Sequence, residues 1–191
     1  MKILTVPDSK LRQKSQDVLR VDKKLVKLVT TLQSTLEKKE NPRGVGLAAP
    51  QIGSDQKVFV TLLPDKTGST NLKTTVFINP MIVDHADKLI VGENLSAKKP
   101  REEGCLSIPK IYGVVPRWQW VKFAYQQIKH GELVTTETVF SDFPARVMQH
   151  EYDHLFGILF TDKILEYKLP VYKEISADKW EEIDPKALNK F

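Results

Sequence analysis

The sequence predicts an α+β fold, with mixed or antiparallel strands packed around a central metal-binding helix that carries an H-E-x-x-H pattern. Three observations lead there. An early helical stripe precedes a run of β-branched segments, and one late helix holds His150, Glu151 and His154. The composition, 41% hydrophobic and 28% charged, is ordinary for a globular chain. At 191 residues the chain reads as one domain, 1–191, large enough to bury a substantial core.

Taken in order, Asp8 offers a cap to a short helical segment from Ser9 to Gln13. Asp22 opens a clearer helix from Lys23 to Lys39, in which Leu25, Val29, Leu32 and Leu36 form one apolar stripe against lysines. Gly44-Val-Gly46-Leu-Ala-Ala-Pro50-Gln51-Ile-Gly53 cannot be the interior of a regular helix. It lets backbone approach something closely, and Gln51 is its one strong polar side chain. Residues 57–63 and 74–79 read as strands, with a polar turn at 64–71 between them. Short strands are expected at 82–83 and 89–91, and a lysine-rich loop at 94–101.

The segment Glu102-Glu103-Gly104-Cys105-Leu106-Ser107-Ile108-Pro109 is expected to be extended rather than helical. Residues 113–125 and 132–140 read as two strands joined by a turn at Lys129-His130-Gly131-Glu132. The late helix has Ser141 and Asp142 as available caps, Pro144 in its first turn and Gly157 as its stop. The tail is broken by Pro170 and Pro185, with a short helix around Lys179 to Ile183 and no long regular one.

The chemistry lies in that late helix. Positions i and i+4 share one face, so the imidazoles of His150 and His154 can reach one metal ion, while Glu151 is close enough to serve as a base. Two ordinary helical histidines, one packed and one wet, are the bland alternative. It is the weaker one for a pair flanking a glutamate in a chain holding four histidines. Two histidines leave a tetrahedral site one protein ligand short. Nothing after His154 continues a metzincin pattern, and Glu166 and Glu174 sit in no matching motif. The single cysteine, Cys105, forbids an intrachain disulfide and is packing, nucleophile or ligand.

The net charge is +5, but the lysines are dispersed, which describes a solvated surface rather than a specific nucleic-acid site. No apolar run approaches the length that spans a membrane, and the N-terminal apolar stretch is too short for a signal peptide. A cytoplasmic location is expected.

Three segments, Gly44–Gln51, Glu103–Pro109 and Gln149–Gly157, resemble in this order the signature motifs of peptide deformylases. The resemblance implies hydrolytic removal of the N-formyl group from the N-terminal methionine of nascent chains. It implies Cys105, His150 and His154 as ligands of one divalent ion, Fe²⁺ natively, with Zn²⁺, Ni²⁺ or Co²⁺ as substitutes. It further implies Glu151 as general base, with Gln51 and the Leu106 N–H on the formyl oxygen. Gly46, Val45, Gly104, Phe143 and Val147 are expected around the substrate. The partners implied are N-formylmethionyl nascent peptides, with a transient ribosome contact.

One departure stands out: Tyr112 occupies the place, seven residues after the cysteine, where many bacterial members carry an arginine. The competing readings are an H-E-x-x-H peptidase with a carboxylate as third ligand, and a non-enzymatic metal or ribosome-associated module.

Overall fold

The structure, a computed structural model, describes residues 1–63, 74–92, 102–176 and 179–190. The turn expected at 64–71 and the loop expected at 94–101 lie outside the described residues. A 3-10 turn at Ser9–Arg12 precedes helix α1 (Lys23–Glu37). Strand β1 (Gly46–Ala48), a 3-10 turn at Ala49–Ile52, β2 (Val58–Thr61), β3 (Thr75–His85) and β4 (Leu89–Val91) follow. Then come β5 (Glu103–Cys105), β6 (Ile108–Gly113), β7 (Pro116–Trp118), β8 (Trp120–Lys129) and β9 (Glu132–Ser141). The chain closes with helices α2 (Asp142–His154) and α3 (Phe160–Tyr167), strands β10 (Val171–Ser176) and β11 (Lys179–Ile183), and a last 3-10 turn.

The strands form three sheets, ordered β1-β2-β3-β8-β9, β11-β10-β6-β5 and β4-β7. Neighbouring strands run antiparallel, and a parallel pairing occurs as an isolated bridge between Gln16 and Gln56. The α+β class holds. The expectation of a metal site built on one central helix is corrected, because its three candidate ligands lie on different elements: Cys105 on β5, His150 and His154 on α2. A helix face offers only positions a turn apart, so the remaining direction around an ion has to come from a neighbouring element.

Three apolar clusters place these parts. Helix α1 packs Leu25, Leu32 and Leu36 against Leu47, Val58, Val60 and Ile78 of the five-stranded sheet. Burying each such leucine is worth about 1.5–3 kcal/mol. The Asp22 carboxylate accepts from Leu25 N at 2.8 Å, the cap its position predicts. Helix α2 packs Ala145 and Met148 against Phe59, Phe77 and Phe123 of the same sheet. A third cluster joins Ile108, Ile111 and Val171 of the four-stranded sheet to Phe160 and Ile164 of α3. Helix α2 thus stands with one sheet at its back and the Cys105 sheet before its histidines. Among the described residues, no helix is long and apolar enough to cross a membrane.

The tail differs from its reading. Residues 179–183 form a strand, not a short helix, and α3 and β10 were not anticipated.

Candidate metal centre and cleft

Cys105 reaches the site from a tight turn. Strands β5 and β6 form a hairpin whose ladder pairs Cys105 with Ile108 but Gly104 with Tyr112, skipping Pro109, Lys110 and Ile111. Lys110 takes φ of 64°, a left-handed backbone that lets this bulge turn. Leu106 and Ser107 form the tip of the hairpin, and Val6 N–H donates to Ser107 O at 3.0 Å, tying the tip to the N-terminal segment.

The ligand atoms of Cys105, His150 and His154 all lie within 4.8 Å of one another. Cys105 Sγ stands 3.2 Å from His154 Nε2, and it accepts from Ser107 N–H at 3.4 Å and from Gln51 Nε2 at 3.5 Å. The two imidazoles are 5.0 Å apart, edge to face. One thiolate sulfur and two imidazole nitrogens suit a divalent transition ion, and three protein ligands are the count of a catalytic rather than a closed structural site. The residues fit such an ion. Neither Glu166 nor Glu174 belongs to the group.

The shell behind the ligands was missed by sequence reasoning. Glu103 Oε2 lies 3.1 Å from His150 Nδ1, which leaves Nε2 as the nitrogen free to face an ion. The same carboxylate accepts twice from Arg117, at 3.0 and 2.9 Å, and once from Arg146 at 3.0 Å. Arg117, only 2% exposed, also donates to Asp153 on α2. A buried arginine between two carboxylates therefore bolts β7 to β5 and α2. Burial alone would raise the Glu103 pKa, but Arg117 and His150 hold it well below the usual carboxylate range. Gln149 adds a second tie, accepting from Trp118 N at 3.0 Å and donating to Trp118 O at 2.9 Å.

The histidines themselves are polarised in opposite directions. Burial favours the neutral form of His150, yet hydrogen bonding to Cys105 and Glu103 and the charge of Cys105 and Glu151 outweigh it and raise its pKa well above the usual value. Burial, then the positive charge of His150 and Arg117, pushes His154 well below.

Glu151 sits beside the three ligands and is 4% exposed. Its Oε2 has no hydrogen-bond partner among the described residues. Burial lifts its pKa to about 7, against the lowering by His150 and Arg117. The Gly46 backbone presses on it so closely that a Cβ there would lie 2.2 Å from Glu151 Oε1. Gln51 is equally enclosed: its Oε1 accepts from Ala48 N at 2.8 Å, which aims its Nε2 at Ser107 Oγ and Cys105. A cleft of about 220 Å³ opens onto these groups. Val45, Gly46, Gln51, Gly104, Cys105, Leu106, Phe143, Val147, His150 and Glu151 all line it, and His154 closes the group from beneath at 1% exposure. The residues expected as ligands, base, oxyanion donors and substrate wall are brought to this one place, and Glu166 and Glu174 are not.

Comparison with known proteins agrees with the geometry. Residues 1–169 match the family described as polypeptide deformylase. A peptide deformylase of Pseudothermotoga lettingae is 40% identical over 85% of this chain and 82% of its own length. One from Desulfotalea psychrophila is 37% identical over 94% and 96%. The crystal structure of Arabidopsis thaliana peptide deformylase 1B with an inhibitor superposes with a TM-score of 0.70, at 37% identity, covering 85% of this chain and 81% of that one.

Proposed function

The chain belongs to the peptide deformylase family, and from that premise we propose how its residues divide the work. It is a metallohydrolase that removes the N-formyl group from newly synthesised polypeptides. Cys105, His150 and His154 would hold one divalent ion. When bound, that ion supplies Lewis acidity, polarising the carbonyl and making water nucleophilic near neutral pH.

Glu151 takes the proton from the attacking water and passes it to the leaving amine. A carboxyl whose pKa burial has moved to about 7 can do both at neutral pH. Its unpartnered Oε2 supports this, since a purely structural carboxylate would be hydrogen-bonded. The Gln51 amide and the Leu106 N–H stabilise the oxyanion, each such donor being worth about 2.7–4 kcal/mol of barrier. Ala48 N–H fixes the Gln51 carboxamide with its NH₂ forward, so the donor is set before substrate arrives. Val45, Gly46 and Gly104 shape the wall along the peptide. Phe143, Val147 and the flank of His150 take the methionine side chain.

The observation that carries this reading is the convergence of a buried unpartnered carboxylate, a fixed amide and a Cys/His/His group on one cleft. Fe²⁺ is the native ion on this reading, with zinc, nickel or cobalt able to replace it. The whole chain, 1–191, works as one catalytic domain in the cytoplasm, meeting formylated chains at the ribosome. Formate release from formyl-Met-Ala by the Fe²⁺-loaded protein, alongside metal stoichiometry, tests it. Full metal content without formate release would overturn it.

A further inference from the structure

The family match ends at residue 169, and the chain goes on to build two more strands on the sheet that carries Cys105. Strand β10 pairs with β6, setting Tyr172 opposite Tyr112, and β11 pairs with β10, setting Trp180 opposite Glu174. Tyr112 is where this addition meets the cleft. On one side its ring lies against Gly104, the residue before Cys105, where a Cβ would come within 2.6 Å of the ring. Gly104 is therefore needed for the ring to lie there. Tyr112 lines the cleft as well.

On the other side, Trp180 stacks on the Tyr112 ring with centroids 4.4 Å apart and planes 18° from parallel. The Tyr112 hydroxyl donates to Glu174 Oε2 at 3.2 Å. Trp180 is 43% exposed and belongs to none of the three apolar clusters. Ring and hydroxyl are thus both held by residues beyond the stretch that the family model matches.

We infer that the β10–β11 pair is a brace for substrate binding: Trp180 and Glu174 are positioning residues that hold Tyr112 as the wall for the peptide chain beyond the formylated methionine. The inference rests on the deformylase reading. Among the described residues β5 is the end strand of its sheet, and on this inference a peptide whose formyl end reaches Glu151 runs out along it past Gly104. An extended chain lying along that edge meets the Tyr112 ring, whereas a substrate ending one residue after the methionine stops short of it. The brace therefore acts on long substrates and not on short ones.

Steady-state kinetics on the metal-loaded full chain test this, with formyl-Met-Ala as short probe and a formylated pentapeptide as long one. Trp180→Ala should raise the ratio of the long to the short KM about fivefold, the size expected from an aromatic pair. Trp180→Phe should restore most of that ratio, since a ring again covers Tyr112. Glu174→Gln, which keeps every ring in place, should raise the ratio about twofold. An unchanged ratio in both Trp180→Ala and Glu174→Gln overturns the brace. So does a loss that falls equally on both peptides, because that marks a general structural role. If Trp180→Ala fails to fold, Glu174→Gln decides alone. Failure of the unaltered protein to release formate from either peptide would instead overturn the deformylase reading, and the brace with it.

Discussion

Gly46→Ala is the most direct probe of how this site is assembled. The added Cβ would lie 2.2 Å from Glu151 Oε1, 2.6 Å from its Cδ and 2.7 Å from its Cγ. Ordinary contact begins at about 3.5 Å, so the carboxylate has to retreat by about 1 Å. Gly46 does not have a left-handed φ, so the perturbation is steric and not a backbone penalty. A misplacement of that size costs about 10²-fold in rate, because the base no longer meets the proton it must take. Crowding of a packed site costs a further 1–3 kcal/mol of stability, roughly. For a chain of this length that is a fall in Tm of about 3–10 °C. Formate release, metal content and a thermal melt should be measured on one preparation. The expected result is kcat/KM down about a hundredfold with metal content unchanged. A folded, metal-replete variant within about threefold of wild type would refute the premise that the position of Glu151 limits turnover.

Glu151→Gln should keep its metal and lose about 10²–10⁴-fold in kcat, since it removes a base and no ligand; retention of a tenth of the activity, roughly, would exclude the role. Cys105→Ser should purify with little metal, a hydroxyl being a poorer donor than a thiolate, and full occupancy by atomic absorption would remove Cys105 from the ligand set. Glu103→Gln should weaken metal affinity about 10–100-fold through His150, and lower stability by about 3–5 kcal/mol by leaving Arg117 with one carboxylate, both readable by metal titration and urea unfolding. Because the folded pKa of Glu103 is depressed below its ordinary 4.5, its contribution to stability is present above that pH and is lost as pH falls below it; the variant should show a flatter acid limb. Asp22→Ala should cost about 1 kcal/mol in urea unfolding through loss of the α1 cap, leaving activity in place.

What could be read from the sequence was what its pattern states locally. The stripe of Leu25, Val29, Leu32 and Leu36 and the i, i+4 histidines are each a single element's periodicity, and each lies on the helix expected of it. The tail was misread for the complementary reason. Lys179, Glu181 and Glu182 are good helix formers, yet 179–183 is a strand because β10 offers it an edge, and β10 exists because β6, some 60 positions earlier, offers one in turn. Helix α3 hid behind its brevity: eight residues, with a start set by Asp162 accepting from Leu159 N at 2.8 Å rather than by any conspicuous cap.

The site shows the same division more sharply. The H-E-x-x-H spacing places two donors and a base, but nothing in it says where the third donor is. That is decided by the register between α2 and the β5–β6 hairpin, and the register is set by groups far apart in sequence. Glu103 meets Arg117, Arg146 and His150 at separations of 14, 43 and 47 residues, and Arg117 meets Asp153 at 36. Three of these partners, Arg146, His150 and Asp153, lie on α2 itself, one a turn before the first histidine ligand and one just before the second. The helix is thereby fixed in rotation and in height against the strand that carries Cys105. A metal ion needs its ligands within a few tenths of an ångström of their places. A hairpin tip held only by apolar contact would not meet that tolerance, because such contacts have no direction. Charged hydrogen bonds do have direction, and a guanidinium that forks to two carboxylates on different elements defines an angle as well as a distance. The buried arginine is therefore a condition of the Cys/His/His geometry, and the residues that make the metal site possible are as much Glu103, Arg117 and Asp153 as the three that would touch the ion.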